Sequence, residues 1–225
     1  MPLQFPAFEY LTYFLITAAL VGLVVLFVLM SGKVISDLFR EKTLSQVAQE
    51  MSFSFMLELD PLLREHFSRF HLFAQRTSRG ASPVLRGRVG VTEVVLFDHN
   101  YADGEFTSSE TVVAFCVDKG ALPIFQLMPK GVFQKALSPF GHTGIVLKTN
   151  PEFSRNYLLL GSDDQAIRDL FNSHVLNFFK QHKGWSVEGR GSWLVVYRES
   201  KRVKPKTIRN FLEEAMSVFR SFSKS

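Results

Sequence analysis

Residues 11–30 read LTYFLITAALVGLVVLFVLM, twenty residues without a charge. A helix of that length rises about 30 Å, the thickness of a bilayer's hydrocarbon core, so the run predicts a transmembrane helix. A soluble helix this long would carry a polar stripe, and this run shows none. A cleavable signal peptide would place Lys or Arg ahead of a shorter apolar core and end in a small-residue cleavage site. Here residues 1–10 hold no Lys or Arg and one acid, Glu9, and the run ends Leu29-Met30-Ser31-Gly32. The expectation is an uncleaved anchor through residues 11–30, within an N-terminal segment 1–32, followed by one domain over residues 33–225.

Charge orients the anchor. Lys33, Arg40 and Lys42 follow the run and nothing basic precedes it. The excess of positive charge on the cytoplasmic side then predicts an inner-membrane protein with its N-terminus outside and its C-terminal domain in the cytoplasm. That domain carries all 26 basic residues and 20 of the 21 acids, so the +5 of the whole chain becomes +6 on one side. A chain that is 46% hydrophobic and 21% charged is an ordered domain, not a disordered one. A single cysteine, Cys116, excludes an intramolecular disulfide and a multi-cysteine metal site.

Within the domain, helix and strand patterns alternate. Thr43 with Gln46 fits a capping box ahead of Leu44, Val47, Ala48 and Met51 on one helix face. Phe53, Phe55, Leu57 and Leu59 alternate as a half-buried strand. Asp60-Pro61 is an N-cap and N1 pair opening a helix with Leu63, Phe67, Phe70 and Ala74 on its apolar stripe. Ser78, Gly80, Ser82 and Pro83 break the chain. Residues 84–128 read as antiparallel sheet, with Asp103-Gly104 suited to a hairpin turn. Short strands are expected at Ile145–Leu147 and Tyr157–Leu160 around an Asn150-Pro151 turn. Ser162 with Gln165 forms a second capping box, before a helix lined by Ile167, Leu170, Phe171, His174 and Phe178. Trp185–Tyr197 holds two strand-like pieces joined near Gly189 and Gly191, and Ile208, Phe211, Leu212, Ala215, Phe219 and Phe222 mark an amphipathic terminal helix. The predicted fold class is α+β: a transmembrane helix, then a mixed, largely antiparallel sheet with packed helices.

Catalytic motifs are absent from the sequence. It has no P-loop, no H-E-x-x-H, no C-x-x-C and no G-x-S-x-G. No cofactor or metal is implied. The most site-like segment is Asp98-His99-Asn100-Tyr101-Ala102-Asp103-Gly104-Glu105. As a calcium loop it fails, because Ala102 takes a ligand position and Ser109 replaces the bidentate Glu. It reads as a solvated hairpin loop, with a ligand or cation loop through Asp98, His99 and Asp103 as the alternative. His174 reads as a core histidine, and Cys116 as inert packing in a buried strand.

Basic residues concentrate in two stretches. Residues 64–88 hold six arginines against Glu65, and residues 180–209 hold nine basic residues against Glu188 and Glu199. Arg76, Arg79, Lys201, Arg202, Lys204 and Lys206 are the candidate contacts to anionic lipid headgroups or to a partner protein. A merely solvated face is the other reading. Nucleic acid binding would need stacking aromatics or a reading helix, and no such motif appears.

Phe97-Asp98-x-x-Tyr101, Thr111-Val112-Val113, Leu122-Pro123-x-Phe125-x-Leu127-x-Pro129, Phe153–Tyr157 and Val187-Glu188-Gly189-Arg190-Gly191 before Tyr197 resemble an uncharacterised family of bacterial single-pass membrane-anchored proteins. His99 departs from that family's more frequent Tyr. The resemblance implies a bacterial envelope protein and no activity. The functional expectation is a non-enzymatic accessory subunit or protein-binding module of a membrane complex. The alternative is a membrane-surface enzyme or ligand sensor using the Asp98–Glu105 loop.

Overall fold

The computed structural model describes residues 7–74, 78–103, 106–117, 121–133, 144–147 and 150–223. The chain forms two compact units, Met1–Thr43 and Leu44–Ser225. One continuous helix, α1 (Ala7–Glu50), runs through the first and into the second. Among the described residues no helix is long and apolar enough to cross a membrane. The uninterrupted run of described, exposed side chains in α1 is residues 12–28, about 26 Å of rise against a core of about 30 Å. The side chains of Leu11 and of residues 29–33 lie outside the described residues. The expected capping box at Thr43 is not a helix start. Thr43 sits inside α1 and its hydroxyl donates back to the Phe39 carbonyl at 2.8 Å, which leaves the helix unbroken.

The second unit is α+β. After the end of α1 come β1 (Ser54–Met56), α2 (Pro61–Ser68), α3 (His71–Ala74), β2 (Ser78–Val89), β3 (Thr92–Asp103), β4 (Phe106–Cys116) and β5 (Leu122–Pro129). They are followed by α4 (Lys130–Phe133), α5 (Pro151–Asn156), β6 (Tyr157–Gly161), α6 (Asp164–Leu170), α7 (Ser173–Gln181), β7 (Ser186–Gly191), β8 (Trp193–Tyr197) and α8 (Ile208–Ser223). The eight strands form one sheet in the order β1-β2-β3-β4-β8-β7-β5-β6. Each neighbouring pair is antiparallel.

Strand alternation sends side chains to two cores. On one face Leu85, Leu96, Val113, Phe115, Val187 and Val196 meet the end of α1 and helices α5 to α8. Leu44 and Ala48 are buried there with Val47 and Met51 alongside, one helical face as their spacing predicts. The apolar stripe of α8 closes this core, with Phe219 stacked on Phe115 at 4.9 Å. On the other face Val84, Val95, Phe97, Val112 and Val195 meet α2 and α3. Phe67 of α2 is fully buried there, 5.5 Å from the Phe97 ring and 5.3 Å from Trp193.

Several local expectations shift. Asp60 caps α2 as predicted, accepting from the Leu63 amide at 2.9 Å. The alternation over residues 53–59 yields only three residues of strand, and Leu57 is exposed, because the chain must turn into α2. The chain-breaking signal at 78–83 marks an irregular start of β2, with register shifts between Ser78 and Gly80 and between Ala81 and Val84. Ile145–Leu147 is not a strand, although the Ile145 amide donates to the Leu159 carbonyl at the β6 edge. Asn150-Pro151 opens a helix, since Asn150 caps the Phe153 amide. Asp163, not Ser162, caps α6, and the single helix expected over 163–178 is two, because Asn172 caps a new one. That break turns His174 outward, so it is exposed rather than core. Gly189 lies within β7 because a Cβ there would sit 2.1 Å from Phe125 Cε1; Gly191, with φ +57°, makes the β7–β8 turn.

Candidate functional site

Residues 98–103 are strand, not a solvated loop. Their register across β4 pairs Asp98 with Thr111 and His99 with Glu110, and alternation sends these pairs to opposite faces. The Asp98 carboxylate, 1% exposed, accepts from the Thr111 hydroxyl at 2.8 Å and from Arg202 Nε at 2.9 Å. Thr111 Oγ1 in turn accepts from the Val203 amide at 2.9 Å, and the Thr111 amide donates to the Lys201 carbonyl at 3.0 Å.

On the opposite face His99, wholly buried, has Nδ1 3.4 Å from Glu110 Oε1. Its ring packs 4.6 Å from Phe73 and 5.4 Å from Tyr101. Glu110 Oε2 accepts from the Ser200 amide at 2.9 Å, and the Tyr101 and Ser200 hydroxyls are 3.1 Å apart. The β3–β4 pair therefore holds the segment 200–203, the link from β8 to α8, from both sides. The solvated-loop expectation fails for a physical reason: the polar side chains of 98–101 are partnered, His99 and Asn100 within the sheet and Asp98 and Tyr101 by residues about a hundred positions later in the chain. Neither Asp98 nor His99 offers a surface to a ligand. The Asp103 side chain, Gly104 and Glu105 lie outside the described residues.

The basic candidates separate in the same way. Arg202 is committed to Asp98, so it holds the fold together instead of forming an open cationic patch. Lys201, Lys204 and Lys206 are exposed. Arg76 and the Arg79 side chain lie outside the described residues.

A second polar inlay, missed in the sequence, lies at the centre of the sheet under α3. Glu188 of β7 is 2% exposed and accepts from the Tyr197 hydroxyl at 3.0 Å and from the Leu72 amide at 3.0 Å. Burial pushes its carboxyl up to about 7, against the pull of those hydrogen bonds. Burial likewise raises the Tyr197 phenol well above its ordinary range. Gln126, paired with Glu188 across the ladder, and Ser186 are buried, and neither Gln126 Oε1 nor the Ser186 hydroxyl has a hydrogen-bond partner among the described residues. The only sequence signal for this inlay is an acid inside an apolar strand pattern. Among the described residues no group of three or more His, Cys, Asp or Glu could hold a metal ion.

Two surface cavities flank α8. The larger, about 670 Å³, lies between the chain after α1, the β2–β3 turn and α8, and is lined by Phe53, Arg88, Arg209, Leu212, Met216 and Arg220 among others. The smaller, about 440 Å³, is lined by Phe178, His182, Trp185, Arg198 and Glu214 among others. Within it Arg198 lies 4.2 Å over the Trp185 ring and pairs with Glu214 at 3.1 Å, and Lys183 is the remaining cation of the lining.

These features define the class as an α+β domain built on one eight-stranded antiparallel sheet, its polar residues largely spent on holding chain crossings together. No protein-family model and no curated protein matches the chain. Among solved structures it is similar to the mycobacterial trehalose monomycolate transport factor A, TtfA. The TM-score is 0.59 at 16% sequence identity, over 82% of this chain and 93% of that one, which shows a shared fold.

Proposed function

We propose that the chain is a single-pass accessory subunit of a bacterial membrane-transport complex. Residues 11–30 are its anchor in the inner membrane, the N-terminus lies outside, and the domain 33–225 works in the cytoplasm. The observation that carries this reading is the fold shared with a protein named as a transport factor, over 93% of its solved chain. Two further points support it. The twenty-residue uncharged run is followed, not preceded, by basic residues. Within it the Thr17 hydroxyl donates back to the Tyr13 carbonyl at 2.8 Å, so this polar side chain presents no unsatisfied donor to lipid. Lys201, Lys204 and Lys206 are the exposed cations available to anionic headgroups or to the membrane partner.

Purification from native membranes in mild detergent tests the proposal. A stable complex with an integral membrane protein is the expected result. A strictly monomeric chain that co-purifies and cross-links with nothing overturns it.

A further inference from the structure

One ladder row on the α3 face of the sheet crosses five strands: Ala114 of β4, Val195 of β8, Glu188 of β7, Gln126 of β5 and Leu160 of β6. All five residues are buried, none more than 3% exposed. Glu188 and Gln126 are the polar members, side by side, with apolar neighbours beyond them on both sides. Directly opposed residues of antiparallel strands hold their Cβ atoms about 5 Å apart, within reach of two side chains of this length.

No Lys or Arg pairs with Glu188 among the described residues. A carboxylate this deep without a cation is costly, and a proton removes the cost. The protonated group has one O–H to donate, and it needs an acceptor. Oε1 already accepts from the Tyr197 hydroxyl and the Leu72 amide, both at 3.0 Å, while Oε2 has a longer contact of 3.3 Å with the same amide. Oε2 is therefore the better seat for the proton. Across the ladder Gln126 Oε1 is a buried acceptor with no donor among the described residues. Each group lacks what the other supplies.

We propose that Glu188 and Gln126 form a proton-binding site at the centre of the sheet, the proton seated on Glu188 Oε2 and donated to Gln126 Oε1. When the proton leaves to solvent, the Gln126 carboxamide turns its Nε2–H donors toward the carboxylate, so the pair has two discrete states. The titratable and charged groups around Glu188 are Tyr197 on β8, Glu199 beyond it, His71 on α3, and Arg190 two positions along β7, which forms no ion pair with it. Ser186, buried and also without a partner, sits diagonal to Gln126 and is the competing donor. The inference does not depend on the transport reading; it rests on the register and the two side chains alone.

The test uses the full chain in detergent micelles, labelled with carbon-13 at the side-chain carbonyl carbons of Gln and Glu and titrated by NMR. In the wild type Glu188 titrates near 7, and the Gln126 Cδ signal moves with the same midpoint. In Glu188→Gln the Gln126 signal stays flat. Gln126→Met removes the acceptor at nearly constant length, and the Glu188 midpoint falls by about half a unit to one unit, a three- to tenfold weaker hold on the proton. Ser186→Ala leaves the midpoint and the Gln126 response unchanged. A wild-type Gln126 signal that stays flat while Glu188 titrates overturns the proposal, and this result decides even where Gln126→Met does not fold. A midpoint that holds or rises in Gln126→Met overturns it too, since the amide's Nε2 end would then face Glu188 or neither end would. Loss of the Gln126 response in Ser186→Ala assigns that acceptor to the serine and likewise overturns it.

Discussion

Glu188 makes the stability of the domain depend on pH in a direction opposite to that of most carboxylates. Its folded-state value is about 7 against 4.5 for the free side chain, and the first cause is burial. Between those values the unfolded chain ionises freely while the folded chain keeps its proton. The unfolded state therefore binds fewer protons, and stability falls as pH rises from about 4.5 to about 7, then levels off. The full difference corresponds to about 3 kcal/mol, most of which falls between pH 5 and 8. Glu188→Gln removes the ionisation while keeping an oxygen to accept from Leu72 and Tyr197. At pH 8 the variant should thus gain about 2 to 3 kcal/mol over the wild type relative to their difference at pH 5, or several degrees in melting temperature for a domain of this size. The charged and titratable neighbours, Tyr197, Glu199, Glu110 and His71, are common to both proteins, so the comparison isolates residue 188. Denaturant unfolding at pH 5, 6, 7 and 8, followed by tryptophan fluorescence, is the assay. Parallel pH profiles for the two proteins would refute the reasoning.

Other substitutions probe other parts of the fold. Phe67→Ala empties the centre of the second core and should cost about 3 to 5 kcal/mol in denaturant unfolding. Gly189→Ala places a methyl against the Phe125 ring and should cost about 1 to 3 kcal/mol, a loss that Phe125→Leu should partly relieve. Arg202→Ala leaves the buried Asp98 without its cation and should cost about 2 kcal/mol, less than a fully buried pair because the arginine is a third exposed; adding Asp98→Asn should recover part of it. Leu20→Arg with Val24→Arg should shift the chain from the carbonate-resistant membrane fraction to the soluble one, since each arginine costs about 3 kcal/mol at the centre of a spanning helix. Retention in the membrane would count against the anchor.

Local signals in the sequence marked what local physics controls. The Asp60-Pro61 cap and the stripe of α8 are each set by residues within a few positions of one another, and each appears where expected. What failed was set at long range or by competition between neighbours. Asp98 and His99 sit in a polar segment that looks solvated, yet their fate is decided by Arg202 and by Glu110 with Ser200. Thr43 can cap a helix or bond back within one, and the helix on both sides of it decides. Asn172 offers a cap that outcompetes a continuous apolar stripe. The cavity beside α8 was least legible, because Phe53, Arg88 and Arg220 carry no shared motif and meet only in the folded domain.

The double grip on residues 200–203 also bears on the order in which the chain can be completed. The hydrogen bonds that Asp98, Thr111 and Glu110 accept come from donors 90 to 104 positions later in the chain. Until residue 203 has left the ribosome, Asp98 and Glu110 lack the partners that residues 200–203 supply, and closing the two cores over the hairpin would leave a carboxylate under-satisfied on each of its faces. The nascent N-terminal half is thereby held back from premature burial. A fragment ending between β5 and β8 should stay open and protease-sensitive, and the domain should lock in one step as its last quarter arrives.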